Sequence, residues 1–159
     1  MKDFSGDSDF MSQALAQARR GADAGEVPVG AVIVLDGRII AAAHNRPIAS
    51  SDPTAHAEVL ALREACAALG TYRLNDAVLY VTLEPCVMCI GAMLNARIAR
   101  LVFGAWDEKA GAVGSVYDIG RDGRLNHKLE IRGGVMEAEC AGLMRDFFRG
   151  RRADSRRIA

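Results

Sequence analysis

The chain has 159 residues, half of them hydrophobic and a quarter charged, the balance of one ordinary globular domain with a real core. Lys and Arg total 20 and Asp and Glu total 20, so no overall basic field points to nucleic acid. No apolar run nears the roughly 20 residues of a membrane span, and the opening "MKDFSGDSDF" lacks a charged region followed by an apolar one, so neither a membrane segment nor a signal peptide is expected.

In chain order, "SDFMSQALAQARRGADAG" has Ser8 or Asp9 as a cap and Phe10, Met11, Ala14, Leu15 and Ala18 at helical spacing, which predicts a helix ending near Gly25. "VGAVIVLDGRIIAAAHN" is two β-rich runs joined by Asp36-Gly37, a two-residue hairpin signal. "RPIASSDP" reads as loop. Asp52 or Thr54 then caps a helix with Pro53 in its first turn, running to about Leu69 before Gly70. Ala77 to Leu83 is an apolar run expected to be a central strand. Pro85 opens a helix to about Asn95, and "RIARLVFG" is a strand. The Gly-rich stretch from Ala105 to His127 is a long connection of the kind reserved for function. "KLEIRGG" is a last short strand. "MEAECAGLMRDFFRGRR" is a C-terminal helix with Cys140, Leu143, Met144 and Phe147 on one side. The order α-β-β-α-β-α-β-β-α describes a three-layer α/β/α sandwich around a mixed sheet of about five strands. All of it reads as one domain, 1–159, with its core at 8–150 and a basic, frayed tail at 151–159.

The chemistry gathers at two helix starts. "PTAHAEVLAL" places His56 and Glu58 at the mouth of an apolar helix. "LEPCVMCIGAM" places Cys86 and Cys89 three apart at the start of another, where backbone N–H groups and the helix dipole favour thiolate. With no leader pattern the expected address is the cytoplasm, where paired cysteines suggest metal or redox chemistry before disulfides. A lone C-x-x-C is equally a redox pair or two small buried hydrophobes. A zinc ribbon needs a second pair, and Cys66 and Cys140 fall on apolar helical faces as core residues. His56 added to Cys86 and Cys89 makes a Cys₂His set, which leaves one coordination position open for water, the arrangement of a catalytic zinc. Glu58 then need not bind metal if it reaches that water. Residues two apart point about 200° from each other on a regular helix, so the metal must sit off the helix end.

"HAE" followed by "PCVMC" matches the H-x-E…P-C-x-x-C signature of zinc-dependent nucleobase deaminases. Together with "NRPI", "DPTAHAE", "ALRE", "YRL", "LYVTLEPCVMC", "VFGA", "GAVGS" and "DFFRGRR", the chain resembles the bacterial tRNA-specific adenosine deaminases from about Phe10 to Arg152. The resemblance implies the cytidine-deaminase-like α/β/α fold, one Zn²⁺ per chain, and hydrolysis of the wobble adenosine of a tRNA anticodon loop to inosine and ammonia. It implies that His56, Cys86 and Cys89 are metal ligands, Glu58 the general acid and base, and Asn45 and Asp107 substrate-binding residues. It also implies a homodimer, for which "CIGAML" is the candidate surface. Trp106 and Asp122 depart from the family pattern of a basic residue and a His in the loop expected to face RNA. From Arg145 to the end, six Arg stand against two Asp, and Arg145, Arg149, Arg151 and Arg152 are the candidates for phosphate contact with an anticodon stem-loop. Two other functions remain: a deaminase of free guanine, cytosine or a nucleoside, which shares the metal residues and would not need the Arg helix, and a zinc-stabilised RNA-binding module without turnover.

Overall fold

The computed structural model describes residues 6–158; residues 1–5, half of the opening stretch in which no signal peptide is read, lie outside it. The elements are α1 (Asp7–Asp23), β1 (Gly30–Leu35), β2 (Arg38–His44), α2 (Pro47–Ser50), α3 (Ala57–Leu69), β3 (Val78–Leu83), α4 (Val87–Ala96), β4 (Arg100–Ala105), β5 (Glu130–Arg132) and α5 (Glu137–Ile158). The five strands form one mixed sheet in the order β2-β1-β3-β4-β5. β1 is antiparallel to β2 and β3, whereas β3, β4 and β5 run parallel. The β1–β2 turn uses Asp36 at φ 51° and Gly37 at φ 75°, the two positive φ values that a twisted two-residue hairpin requires.

Helices cover both faces. α3 and α4 pack over Ile33, Leu79, Val81, Leu101 and Phe103, and on the opposite face Val32, Tyr80 and Val102 are buried with Met11 and Leu15 of α1 and Cys140 of α5. α1 lies so close that a Cβ on Gly30 would stand 2.0 Å from the Ala14 carbonyl oxygen, so only glycine fits there. Among the described residues no helix is long and apolar enough to cross a membrane.

Several boundaries differ from the sequence reading. α1 is capped by Gly6 in the left-handed conformation, with neither Ser8 nor Asp9 as its cap. "RPIASSDP" contains the one-turn helix α2. α3 begins at Ala57, because the Asp52 carboxylate accepts hydrogen bonds from the Thr54 N–H (2.8 Å) and hydroxyl (2.7 Å) and so closes a turn. α5 continues to Ile158, past the Arg152 end read from the sequence.

One buried ion network ties the α1 face together. Asp7, 3% exposed, pairs with the two terminal nitrogens of the Arg100 guanidinium at 2.8 Å, with Arg132 at 2.7 Å, and accepts the Tyr80 hydroxyl at 2.8 Å. Burial alone would raise the Asp7 carboxyl, but the bonds from Arg100, Tyr80 and Arg132 outweigh it and hold it below the usual carboxylate value. Removing one partner of a buried ion pair strands the other, so Asp7→Asn is expected to lower unfolding stability by about 3 kcal/mol at neutral pH. A lowered folded-state pKa stabilises above the unfolded value and is lost as pH falls through the lowered one. The gap between wild type and Asp7→Asn in urea denaturation should therefore be full at neutral pH and shrink below about pH 4.

Candidate active site

The parallel strands β3 and β4 end at Leu83 and Ala105, and the chain leaves both on one edge of the sheet. Ligands in open α/β sheets bind outside the carboxyl ends of parallel strands. Here a cavity of about 750 Å³ opens at that edge. Its floor is His56, Glu58 and Cys86, one wall carries Asn45 and Pro47, another Trp106, Asp107 and Lys109, and α5 contributes Met144, Arg145 and Phe148.

The floor is made by two helix N-termini. His56 caps α3 and Cys86 caps α4, each in extended backbone just outside its helix. That placement resolves the spacing problem of the sequence: His56 is off the helix, while Glu58 is its second helical residue. Asn45 holds the α3 start, because its side-chain oxygen accepts the Ala57 N–H at 2.8 Å. Asn45 also lines the cavity. His56 Nδ1 lies 3.6 Å from Cys86 Sγ and 3.5 Å from Cys89 Sγ. The three donor atoms lie within 4.8 Å of one another, a group positioned to bind a metal ion. Cys89 is fully buried behind the floor.

These groups share protons. The bond from the Cys89 thiol, with His56 beside it, pulls Cys86 down to about 4 despite its burial. The same bond and burial push Cys89 up, and the bond to Cys86 raises His56. Glu58 is 4% exposed, and burial pushes its carboxyl above the usual range.

The remaining candidates divide. Asp107 lines the cavity, but its Oδ1 also accepts the Lys109 and Ala110 amides at 3.1 and 3.2 Å and so shapes its own loop. Arg145 lines the cavity and Arg149, Arg151 and Arg152 do not. Arg151 donates to the Gly25 carbonyl at 2.8 Å and stacks on Phe147, which fastens α5 to the end of α1. Trp106 lines the cavity, its ring edge-on to Phe103 at 4.8 Å, whereas Asp122 pairs with Arg124 in an exposed turn elsewhere. Cys140 is a core residue as expected, and Cys66 is half-buried.

Sequence reasoning missed Glu84. It is 2% exposed and accepts backbone N–H bonds from Asp107 (3.1 Å), Val113 (3.0 Å) and Ser115 (3.1 Å) as well as the Ser115 hydroxyl. It also missed Glu26, 1% exposed, whose carboxylate takes the Ile48 N–H at 2.9 Å and anchors the wall bearing Pro47. Backbone amides carry no side-chain signature, so neither partner set could be found from residue types; for Glu84 the only hint was a carboxylate directly after an apolar run.

A model of the MafB19-like deaminase family matches residues 5–152. A tRNA-specific adenosine deaminase of Bacillus subtilis is 48% identical over 140 residues, 88% of this chain and 87% of the relative. The chain belongs to this deaminase family. Another member, a tRNA-specific adenosine deaminase of Haemophilus influenzae, is 48% identical over 151 residues, 94% of this chain and 87% of its own. A structure solved in a study of A-to-I editing by tRNA:A34 deaminases superimposes with a TM-score of 0.83 at 48% identity, covering 86% of this chain and 99% of that one. A guanine deaminase of Nitrosomonas europaea shares the fold at a TM-score of 0.75 and 27% identity, covering 88% and 83%.

If His56, Cys86 and Cys89 act as one group, purified protein is expected to hold one divalent metal per chain, and Cys86→Ala and Cys89→Ala to lose it. Elemental analysis checks this, and full metal retention in both variants would contradict it.

Proposed function

We propose that this protein is a zinc-dependent hydrolase that converts the wobble adenosine of a tRNA anticodon loop to inosine with release of ammonia. The observation that carries the chemistry is the metal group itself. Tetrahedral zinc, with Zn–S about 2.3 Å and Zn–N about 2.0 Å, sets sulfur and nitrogen about 3.5 Å apart. His56 Nδ1 stands 3.6 and 3.5 Å from the two cysteine sulfurs. Three protein donors, two of them soft, fit zinc with one position left open. Zinc so held supplies an activated water at neutral pH.

The chain's own residues do the rest. Glu58, buried on the cavity floor, accepts a proton from the attacking water as its oxygen bonds to adenine C6. The proton passes to N1. Glu58 then takes the second proton of that water, from the new C6 hydroxyl, and gives it to N6; the C6–N6 bond breaks as the C6 carbonyl forms, so that adenine and water become hypoxanthine and ammonia. A carboxyl raised by burial suits this double use, since it accepts and gives protons nearer neutral pH than an exposed one. Asn45 and the Asp107 loop hold the base against the floor.

The substrate class is supported by the relatives, which are tRNA-specific at 48% identity, and by α5. Arg145, Arg149, Arg152 and Arg156 recur at helical spacing and form one basic stripe leading from the cavity rim, and Arg151 falls off it. A single-stranded loop offers splayed bases at low energy and phosphates to such a stripe. The cytoplasm, where tRNA is modified, is the matching address.

A homodimer completes the proposal. The sequence candidate "CIGAML" cannot supply its apolar area, because Ile90 and Met93 are fully buried and Leu94 nearly so. The supporting surface is a shallow groove on the α3–α4 face lined by Val59, Leu62, Cys66, Tyr72 and Ala92, with Tyr72 72% exposed. Sedimentation equilibrium at micromolar concentration is expected to give twice the chain mass; a single-chain mass contradicts it.

Two outcomes test the activity. Glu58→Gln is expected to retain metal and stem-loop binding while single-turnover deamination falls by about 10²–10⁴-fold. Arg149→Ala with Arg152→Ala is expected to flatten the salt dependence of stem-loop affinity by about 1.4 log units per log salt. Inosine formation in an anticodon stem-loop, measured beside free adenosine, guanine and cytosine, decides the substrate. Equal turnover of a free base would favour a small-molecule deaminase, and metal with no turnover of any would favour a binding module.

A further inference from the structure

The loop that walls the cavity opposite Asn45 has no regular secondary structure between Ala105 and Glu130 except an isolated bridge from Val113 to Asp118. A loop of this length is ordinarily mobile. Yet its first half is tied to one side chain. The Glu84 carboxylate accepts three backbone amides, from Asp107, Val113 and Ser115, and the Ser115 hydroxyl. The loop also closes over the backbone beside it: the Ala112 N–H donates to the Pro85 carbonyl at 2.8 Å, and the Glu84 N–H to the Ala105 carbonyl at 2.8 Å. Gly111 passes so near that an added Cβ would stand 2.3 Å from the carboxylate. Glu84 is 2% exposed, so water does not compete for these bonds.

Glu84 is also two residues before Cys86, the cap of α4 on the cavity floor. The carboxylate therefore joins the segment that carries a candidate metal ligand to the loop that carries Asp107, Lys109 and Ala110 on the wall. We propose that Glu84 is a positioning residue for the reaction: it fixes the separation between the metal-bearing floor and the wall that receives the adenine. Asp107 is the point of transmission. Its N–H is held by Glu84, and its own carboxylate turns the next three residues, so the wall is a rigid extension of the buried anchor. This rests on the deaminase reading for the identity of the substrate, and on the geometry alone for the coupling.

The variants are Glu84→Gln, which keeps the size but places an amide NH₂ among N–H donors, and Ser115→Ala, which removes only the hydroxyl and leaves the protein folded if Glu84→Gln is not. Tyr80→Phe, which loosens the Asp7 network on the other face of the sheet, is the control for general destabilisation. Each is purified with its metal and assayed below its melting temperature. Hydrogen exchange of the Asp107, Val113 and Ser115 amides is expected to accelerate in Glu84→Gln and not in Tyr80→Phe, with metal content unchanged. For the stem-loop, Glu84→Gln is expected to raise KM by about tenfold to a hundredfold with kcat within about threefold of wild type, because the wall is displaced while the floor is kept. Ser115→Ala should raise KM by about threefold. Unchanged exchange at the three amides overturns the proposal, as does an activity loss in Glu84→Gln matched by Tyr80→Phe at equal melting shift. If the wild type does not deaminate the stem-loop, the proposed substrate fails, and the exchange result still decides whether Glu84 holds the wall.

Discussion

Two helix N-termini meet at the carboxyl ends of β3 and β4, and the rest of the site depends on that meeting. β3 and β4 are parallel, so the chain must cross back between them, and α4 makes the crossing. Its first turn therefore stands directly beyond the end of β3, which puts Cys86 and Cys89 at the sheet edge. α3 is brought to the same place by Asn45, whose side chain caps Ala57 from the end of β2. Both caps, His56 and Cys86, are extended residues outside their helices, free to point across the gap between them. The positive ends of two helix dipoles then converge on one point, which favours thiolate sulfur and anionic chemistry there.

Three buried carboxylates show how partners decide the role of one chemical group. Asp7 faces two guanidinium groups and a phenol, is held ionised, and ties α1 to β3, β4 and β5. Burial would raise Glu84, but the hydroxyl of Ser115 and the amides of Asp107, Ser115 and Val113 hold it low and make it an anchor. Glu58 has burial and the negative charge of Cys86 acting together, and is raised. Of the three, only Glu58 is raised, and only it lines the cavity. The direction of each shift thus follows from the donors that surround the carboxylate.

Much of this was legible in the sequence where the signal is local. The hairpin at Asp36-Gly37, the apolar run of β3 and the Cys86/Cys89 pair after Pro85 each depend on neighbours in the chain, and each stands where the spacing placed it. The five-stranded mixed sheet with helices on both faces followed from the order of elements. What failed depended on distant partners. The start of α3 was read four residues early because Asp52 is an equally good cap or turn residue, and only the amide of Asn45 decides between them. Asp7 meets Arg100 across 93 residues, and Glu84 meets amides that every residue has. In "CIGAML" the small and apolar residues alternate between core and surface, and periodicity alone did not say which side Ile90 and Met93 would face.

In the proposed reaction water, with Glu58 taking its proton, replaces the exocyclic nitrogen of a loop adenine. The most direct measurement is turnover of an anticodon stem-loop in ¹⁸O-labelled water, followed by mass analysis of the wobble nucleoside and of ammonia. The expected product is inosine carrying one heavy oxygen on C6, with one ammonia released per inosine formed. Inosine without the label, or release of ammonia from free guanine while the stem-loop stays unreacted, would contradict it.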